Sequence, residues 1–356
     1  MNFQFVDAHS EGAPCRTIIG GLEPLAISGE TMLKKKQYFE ENCDWLRTAL
    51  LQEPRGFPAV NADLVVPPCD PTADVGLLIL NQRRIGPMMS GGNILCFVTA
   101  ILEAGVVPID TANPVTVVRV ETAGGICVAR ARCDGGRVLD VSIENLPSYA
   151  THLDFKLPVP GYGEITVDVG YGGMFYAIAS ASELGLDLVP DNAAEIARVG
   201  ELIRASAYKH IEVDNPASKS IKTVDAVLIA GAPHSPQNSG RSAVVMPMLS
   251  GAPTFASGVH SLIDRCPCGT GTSAQVAVLS AKGKLKLGDV WKQESILDGV
   301  YSCRPLRQIE VNGRDGIIPE LTGSSHLIAR GEIIISDSDP LRHGFKVGDM
   351  WAGRVL

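Results

Sequence analysis

Long apolar runs are missing from this chain of 356 residues. No stretch approaches the about 18 residues that a membrane helix needs, so no span is expected. The start, Met1-Asn-Phe-Gln-Phe-Val-Asp7, has neither a basic n-region nor an apolar h-region. No secretory signal is read there, and a cytoplasmic protein is expected. Positive charge is also short. Thirty-one Lys and Arg against 39 Asp and Glu leave a net charge of −8, which argues against a surface tracking nucleic-acid phosphates. Small molecules and other copies of the chain are the expected partners, with no nucleic acid and no membrane.

Metal and cofactor patterns are absent as well. His9, His152, His210, His234, His260, His326 and His343 form no His-x-His or His-x3-His set, so no metal is expected. Nine cysteines are scattered and odd in number, unlike a disulfide scaffold. Their only close pair is Cys266-Pro-Cys268, where a zinc site would want two Cys-x2-Cys pairs. Most of the nine read as small buried apolar residues, with one or two at most doing chemistry. Gly269-Thr-Gly-Thr272 is not followed by the Gly-Lys-Ser/Thr of a phosphate loop. No lysine stands in a recognisable pyridoxal-phosphate context. No cofactor is expected.

What is present is an ordinary globular composition, 45% hydrophobic and 20% charged, which excludes intrinsic disorder and fibrous repeats. The length suits two domains. A helix is expected from about Thr31 to Leu50, with Lys34, Lys35 and Lys36 on a solvated face. Asp74–Leu80 reads as a strand. Val115–Val120 and Ile126–Arg132 read as a hairpin around Ala123-Gly-Gly125, and Asp134-Gly-Gly136 turns the chain again. Ile165–Val169 and Val224–Ile229 are further strands. Between them, Asn192–Ser206 is a helix with Ile196, Val199 and Ile203 on one face. The reading is α+β rather than a regular doubly wound sheet.

One internal match organises the chain. Ser90-Gly91 opens a polar, glycine-containing loop and an apolar helical run that ends at Gly105, and Cys268-Gly269 opens another that ends at Gly283. Both spans are fifteen residues, and their starts lie 178 residues apart, half the chain. The glycines sit where a helix C-cap belongs. Duplication explains this with one assumption, and two facing halves would put both loops in one cleft. The first half is read as 1–155, carrying the Ser90 loop, and the second as 156–335, carrying the Cys268 loop. Residues 336–356 are read as packing back on the first half.

A helix N-terminus presents unpaired N–H groups and partial positive charge, so two of them suit a small carboxylate. The same dipole lowers a cysteine's pKa at the helix start, so Cys268 is a candidate base or nucleophile with a thiolate near neutral pH. Ser90 in the matching place is neutral and far less basic. Taken singly, Cys268 could be a buried structural cysteine and Ser90 a plain N-cap. The paired placement favours chemistry. Asp264, four residues before Cys268, is either a turn residue or faces a substrate ammonium. Asp7 and His9 read as loop-edge packing, and Tyr171-Gly-Gly-Met-Phe175 as a bulge or close backbone crossing.

At these residues the sequence resembles the proline racemase family. Asp264-Arg-Cys-Pro-Cys-Gly-Thr-Gly-Thr-Ser-Ala274 is similar to the family's second catalytic motif. Asp7–Arg16, Tyr171–Phe175 and Asp339–Phe345 resemble other family segments. The resemblance implies a diaminopimelate-epimerase-like fold, with two pseudo-symmetric α/β halves around a central cleft. It also implies cofactor-independent chemistry at Cα of a proline-like amino acid, and a homodimer. Where the racemases and 4-hydroxyproline epimerases have Met-Cys-Gly-His, this chain has Met89-Ser90-Gly91-Gly92-Asn93. Members with serine or threonine there resemble trans-3-hydroxy-L-proline dehydratases, and the serine form is also associated with some 4-hydroxyproline epimerisation.

Chemistry supports that choice. Racemisation needs an acid–base group on each face of Cα, and an ordinary serine without a neighbouring base is a poor one. In trans-3-hydroxyproline the α hydrogen and the hydroxyl share a ring face, so Cys268 alone could remove one and protonate the other. On this reading Ser90 is a positioning hydrogen-bond donor or a slow proton donor. Backbone N–H groups of Gly91, Gly92, Asn93, Gly269 and Thr270 would hold the carboxylate, and Asp264 the ring ammonium. The product would be Δ1-pyrroline-2-carboxylate. A dedicated hydroxyproline 2-epimerase and a non-catalytic amino-acid-binding protein are the alternatives.

Overall fold

A computed structural model describes residues 1–83, 86–214, 222–247, 261–347 and 351. In chain order the first elements are β1 (Asn2–Ser10), β2 (Ala13–Gly20), α1 (Met32–Asn42), α2 (Asp44–Leu51), β3 (Asn61–Val66) and β4 (Val75–Leu80). Helix α3 (Gly91–Glu103) and strands β5 (Val115–Thr122), β6 (Gly125–Asp134) and β7 (Arg137–Glu144) follow. Then come β8 (Ser148–Val159), β9 (Gly163–Tyr171), β10 (Phe175–Ser180), α4 (Ala193–His210), β11 (Ala226–Gly231) and β12 (Gly240–Pro247). The last are β13 (Ser261–Ile263), α5 (Gly269–Ala281), β14 (Trp291–Glu294), β15 (Val300–Val311), β16 (Arg314–Gly323) and β17 (Ser325–Ile334). Among the described residues, no helix is long and apolar enough to cross a membrane.

Two compact units result, Met1–Ile143 with Thr322–Trp351, and Glu144–Leu321. A cut at residue 155 would fall inside β8. Within the first unit the strands pair β17–β1–β2 antiparallel, β2–β3 parallel, β3–β4 antiparallel, β4–β5 parallel and β5–β6 antiparallel. Within the second they pair β8–β9–β10 antiparallel, β10–β11 parallel, β11–β12 antiparallel, β12–β14 parallel and β14–β15 antiparallel. The two series of senses are the same. Parallel neighbours need a crossover, and here too the units agree. Helices α1 and α2 join β2 to β3 as α4 joins β10 to β11, and α3 and α5 lie in the second crossover of each. The match first seen in two loops therefore extends along the strand order of both units.

Helix α3 packs against β1, β2 and β17, and α5 against β8, β9 and β15. All of α3 from Asn93 to Leu102 is buried, as befits a helix apolar on every side. Gly105 and Gly283 end the two helices at φ +74 and +67, the left-handed C-cap that glycine adopts without a Cβ penalty. Asn192 precedes α4, which packs on β8, β11, β12 and β13, and its Ile196, Val199 and Ile203 are fully buried.

The helix expected over Thr31–Leu50 is two helices. Thr31 caps the first, and Cys43, at φ −127 and ψ 11, separates them. The expected solvated lysine face holds only for Lys34. Lys35 donates to the Pro67 carbonyl at 2.6 Å, and Lys36 pairs with Glu40 one turn on. Both tuck their alkyl stems against the unit, as long amphipathic side chains do.

Tyr171-Gly-Gly-Met-Phe175 is a close backbone crossing. A Cβ on Gly172 would lie 2.2 Å from the Thr270 carbonyl oxygen and 2.6 Å from the Ala274 nitrogen. The missing side chain is what lets the β9–β10 turn seat the first turn of α5. Gly172→Ala is expected to cost about 2–3 kcal/mol through overpacking against backbone. Thermal unfolding would check this, and an unchanged midpoint would refute the seating.

Candidate active site

Both loops end as helix N-caps. The Cys268 Sγ accepts the Gly271 N–H at 3.4 Å, and the Cys268 carbonyl accepts the Thr272 N–H at 2.8 Å. Cys268 holds φ +65 and ψ 111, a strained conformation for a residue with a Cβ, of order 1–3 kcal/mol. Tyr176, fully buried on β10, brings its hydroxyl to 3.5 Å from the Cys268 sulfur and 2.6 Å from Thr270 Oγ1. Thr270 Oγ1 is 3.6 Å from the same sulfur. Cys266 donates its S–H to Asp264 at 3.4 Å, and the Cys268 N–H points to the Cys266 sulfur at 3.4 Å.

Burial pushes the Cys268 thiol up to about 12, and the Asp264 carboxylate beside it adds to the rise. The Tyr176 hydroxyl, the Gly271 N–H and Thr270 pull the other way and lose. This overturns the expected thiolate near neutral pH. One N–H at 3.4 Å and a helix dipole do not offset lost water plus an adjacent anion. Asp264 itself is raised by burial, against the hydrogen bonds from both thiols. Tyr176→Phe removes a donor to the thiolate and is expected to raise the Cys268 titration by about one pH unit. Alkylation rate against pH reads this directly, and an unmoved curve would refute it.

The Ser90 loop is built the same way with different consequences. The Ser90 Oγ accepts the Asn93 N–H at 3.5 Å, while its own O–H donates to Asn93 Oδ1 at 2.8 Å. The Asn93 side chain turns inward, where Nδ2 donates to Asp63 Oδ1 at 2.9 Å and to the Cys15 sulfur at 3.5 Å. Cys15 donates to Asp63 Oδ2 at 3.0 Å. Asp63, on β3, is fully buried, and burial raises it to about 7 against those two hydrogen bonds. Neither Asp63 nor Tyr176 stood out in the sequence. An aspartate inside the apolar run Ala62-Asp-Leu-Val-Val66 was the available signal.

Helix geometry leaves the N–H groups of Gly91, Gly92, Gly269 and Thr270 without intrahelical partners. Within each unit, the pair at its own helix start suits an anion. The Asn93 N–H is already engaged by Ser90, which narrows the expected set.

The N-terminal and C-terminal segments of family resemblance tie parts of the first unit together. Asp7 receives Arg16 through two bonds of 2.8 Å, and Arg16 also donates to the Arg55 carbonyl. Arg55 reaches Asp339 at 3.2 Å, and Trp351 Nε1 donates to Glu53 at 2.7 Å. Of the expected C-terminal segment, 348–350 and 352–356 lie outside the described residues. His9 Nδ1 accepts the Gly12 N–H at 3.2 Å, a turn contact as expected.

Comparison with known proteins gives a consistent neighbourhood. The proline racemase family profile matches residues 5–346. A proline racemase of Clostridioides difficile is 35% identical over 344 residues, 97% of this chain and 98% of that protein. A crystal structure of a hydroxyproline epimerase from Agrobacterium vitis with bound trans-4-hydroxy-L-proline is 31% identical, with a TM-score of 0.85 over 99% of this chain and 96% of that one. A PhzF-family phenazine biosynthesis protein of Bacillus anthracis, 9% identical, covers 94% of this chain and 100% of that one at a TM-score of 0.57. That last likeness is one of fold alone.

Proposed function

The chain belongs to the proline racemase family, and from that premise we propose that it dehydrates trans-3-hydroxy-L-proline to Δ1-pyrroline-2-carboxylate without a cofactor. The observation that carries the reading is the Ser90 hydroxyl, whose hydrogen goes to an amide oxygen at 2.8 Å. An amide cannot take that proton away, so Ser90 lacks the base that two-sided proton transfer would need. Cys268 is then the acid–base group.

The substrate's ring ammonium would pair with Asp264 and cancel one of the two causes that hold the thiol neutral. The thiolate removes the α hydrogen. The electron pair left at Cα forms the C2–C3 double bond as the C3–O bond breaks, and the Cys268 proton leaves with the hydroxyl as water. The enamine tautomerises to the pyrroline. Charge that builds on the carboxylate would be met by the N–H groups of Gly269 and Thr270, at the helix start that Cys268 opens. Losing one such donor typically costs about 3–4 kcal/mol of barrier.

A second reading is 2-epimerisation of trans-4-hydroxy-L-proline, favoured by the ligand bound to the Agrobacterium vitis relative. Proton NMR in D2O tests both. The protein is incubated separately with trans-3-hydroxy-L-proline and trans-4-hydroxy-L-proline. Loss of the 3-hydroxy compound to the pyrroline supports the dehydratase. Inversion and α-exchange of the 4-hydroxy compound alone would replace it with the epimerase. Silence with both, alongside ligand-induced stabilisation, would leave a binding protein.

A further inference from the structure

The chain Ser90–Asn93–Asp63–Cys15 has an internal logic that the function has not used. Asn93 is an amide with one accepting and one donating end: its oxygen faces Ser90, and its Nδ2 faces Asp63 at 2.9 Å, with the Cys15 sulfur at 3.5 Å. A carboxylate on Asp63 can only accept, so it must face Asn93 Nδ2. Oδ1 then faces Ser90, takes the hydroxyl hydrogen, and leaves Ser90 presenting lone pairs to a ligand. A protonated Asp63 donates instead. Asn93 then turns its oxygen to Asp63 and its N–H to Ser90, and the Ser90 hydrogen is freed for a ligand.

We propose that Asp63 is a positioning residue that sets, through the Asn93 amide, whether Ser90 offers substrate a hydrogen or a lone pair. The proposal rests on the reading of Ser90 as a substrate-facing group and deepens it. The observed bond lengths of 2.8, 2.9 and 3.0 Å along the chain fit the carboxylate arrangement. Burial of Asp63, with a titration near 7, puts both arrangements within reach of ordinary pH. The groups facing it are few. Cys15 comes from β2 and Asn93 from α3, Cys96 of α3 lies against Cys15, and the β4 residue in register with Asp63 is the apolar Ile79. Cys15 itself is raised well above the usual thiol range by its burial, Cys96 and Asp63. It therefore donates its S–H to either form of the acid.

Asp63→Asn should imitate the protonated form. Its carbonyl keeps the Cys15 S–H, its amide N–H goes to Asn93 Oδ1, and Ser90 stays in the donating arrangement at every pH.

The test is made on the 15N-labelled full chain without ligand, so it does not depend on which substrate is right. The Asn93 side-chain amide pair is identified by its loss in Asn93→Ala. It is expected to shift between about pH 5 and about pH 9 in the wild type, and in Asp63→Asn to stay at its acid-side position throughout. A pair that does not move, or that still titrates in Asp63→Asn, overturns the proposal. If Asp63→Asn fails to fold, the 13C signal of the Asp63 carboxyl must titrate together with the Asn93 amide in the wild type, and separate midpoints overturn the proposal. In turnover, any Ser90-dependent return of a proton to Cα should fall above pH 7 in the wild type and lose that limb in Asp63→Asn. Absence of all turnover would sink the functional reading while leaving the amide result to stand by itself.

Discussion

Cys268→Ala is expected to abolish conversion of trans-3-hydroxy-L-proline, a loss of about 10³–10⁴-fold or down to the detection limit, with a folded protein left behind. General acid–base groups contribute on that scale, and here one sulfur serves as both base and acid. The loss to stability is small by comparison. The alanine forfeits the cap acceptor for the Gly271 N–H, worth about 1 kcal/mol, and a buried sulfur. Thermal unfolding should shift by only a few degrees, which separates lost chemistry from lost fold. Ser90→Ala is the paired control. Dehydration should survive it within about tenfold, since the Ser90 hydroxyl is committed to Asn93, while any 4-hydroxyproline epimerisation should vanish. Equal losses in both variants would mean that Ser90 is an acid–base group and that the one-thiol argument is wrong.

The two loops were legible because each obeys local rules. A capping side chain, small residues in the first turn, an apolar run and a closing glycine lie within fifteen residues, and both helices formed between those marks. The repetition did not reveal the strand order, which the two units nonetheless share. What escaped was everything that depends on distant segments meeting. Asp63, Cys15 and Asn93 come from a strand, another strand and a helix, and no periodicity along the chain announces that three polar groups share one buried spot. Nothing in the sequence marks Tyr176, and only the fold brings its hydroxyl beside Cys268. The error about the thiolate has the same origin. A helix N-terminus can be read from sequence, but the water it loses and the carboxylate it gains cannot. Desolvation exceeded the dipole.

Asp264→Asn follows from that balance and should move two measurements in opposite directions. The Asp264 carboxylate raises the Cys268 thiol, second only to burial. An anion nearby disfavours the thiolate, so removing its charge lowers the titration. Alkylation of Cys268 by iodoacetamide at about pH 8 should therefore speed up, because more of the sulfur is thiolate. A more reactive thiol would ordinarily mean a better base. Yet the same carboxylate is the proposed partner of the substrate ammonium, and truncating one member of a buried charge pair costs about 2–5 kcal/mol. Turnover measured as kcat/KM should drop by about 10²–10³-fold even as alkylation accelerates. Faster alkylation with unchanged kcat/KM would deny Asp264 the ammonium. A fall in kcat/KM with unchanged alkylation would deny it the thiol. Only the divergence of the two fits a site in which the charge that holds the thiol neutral is the charge the substrate arrives to cancel.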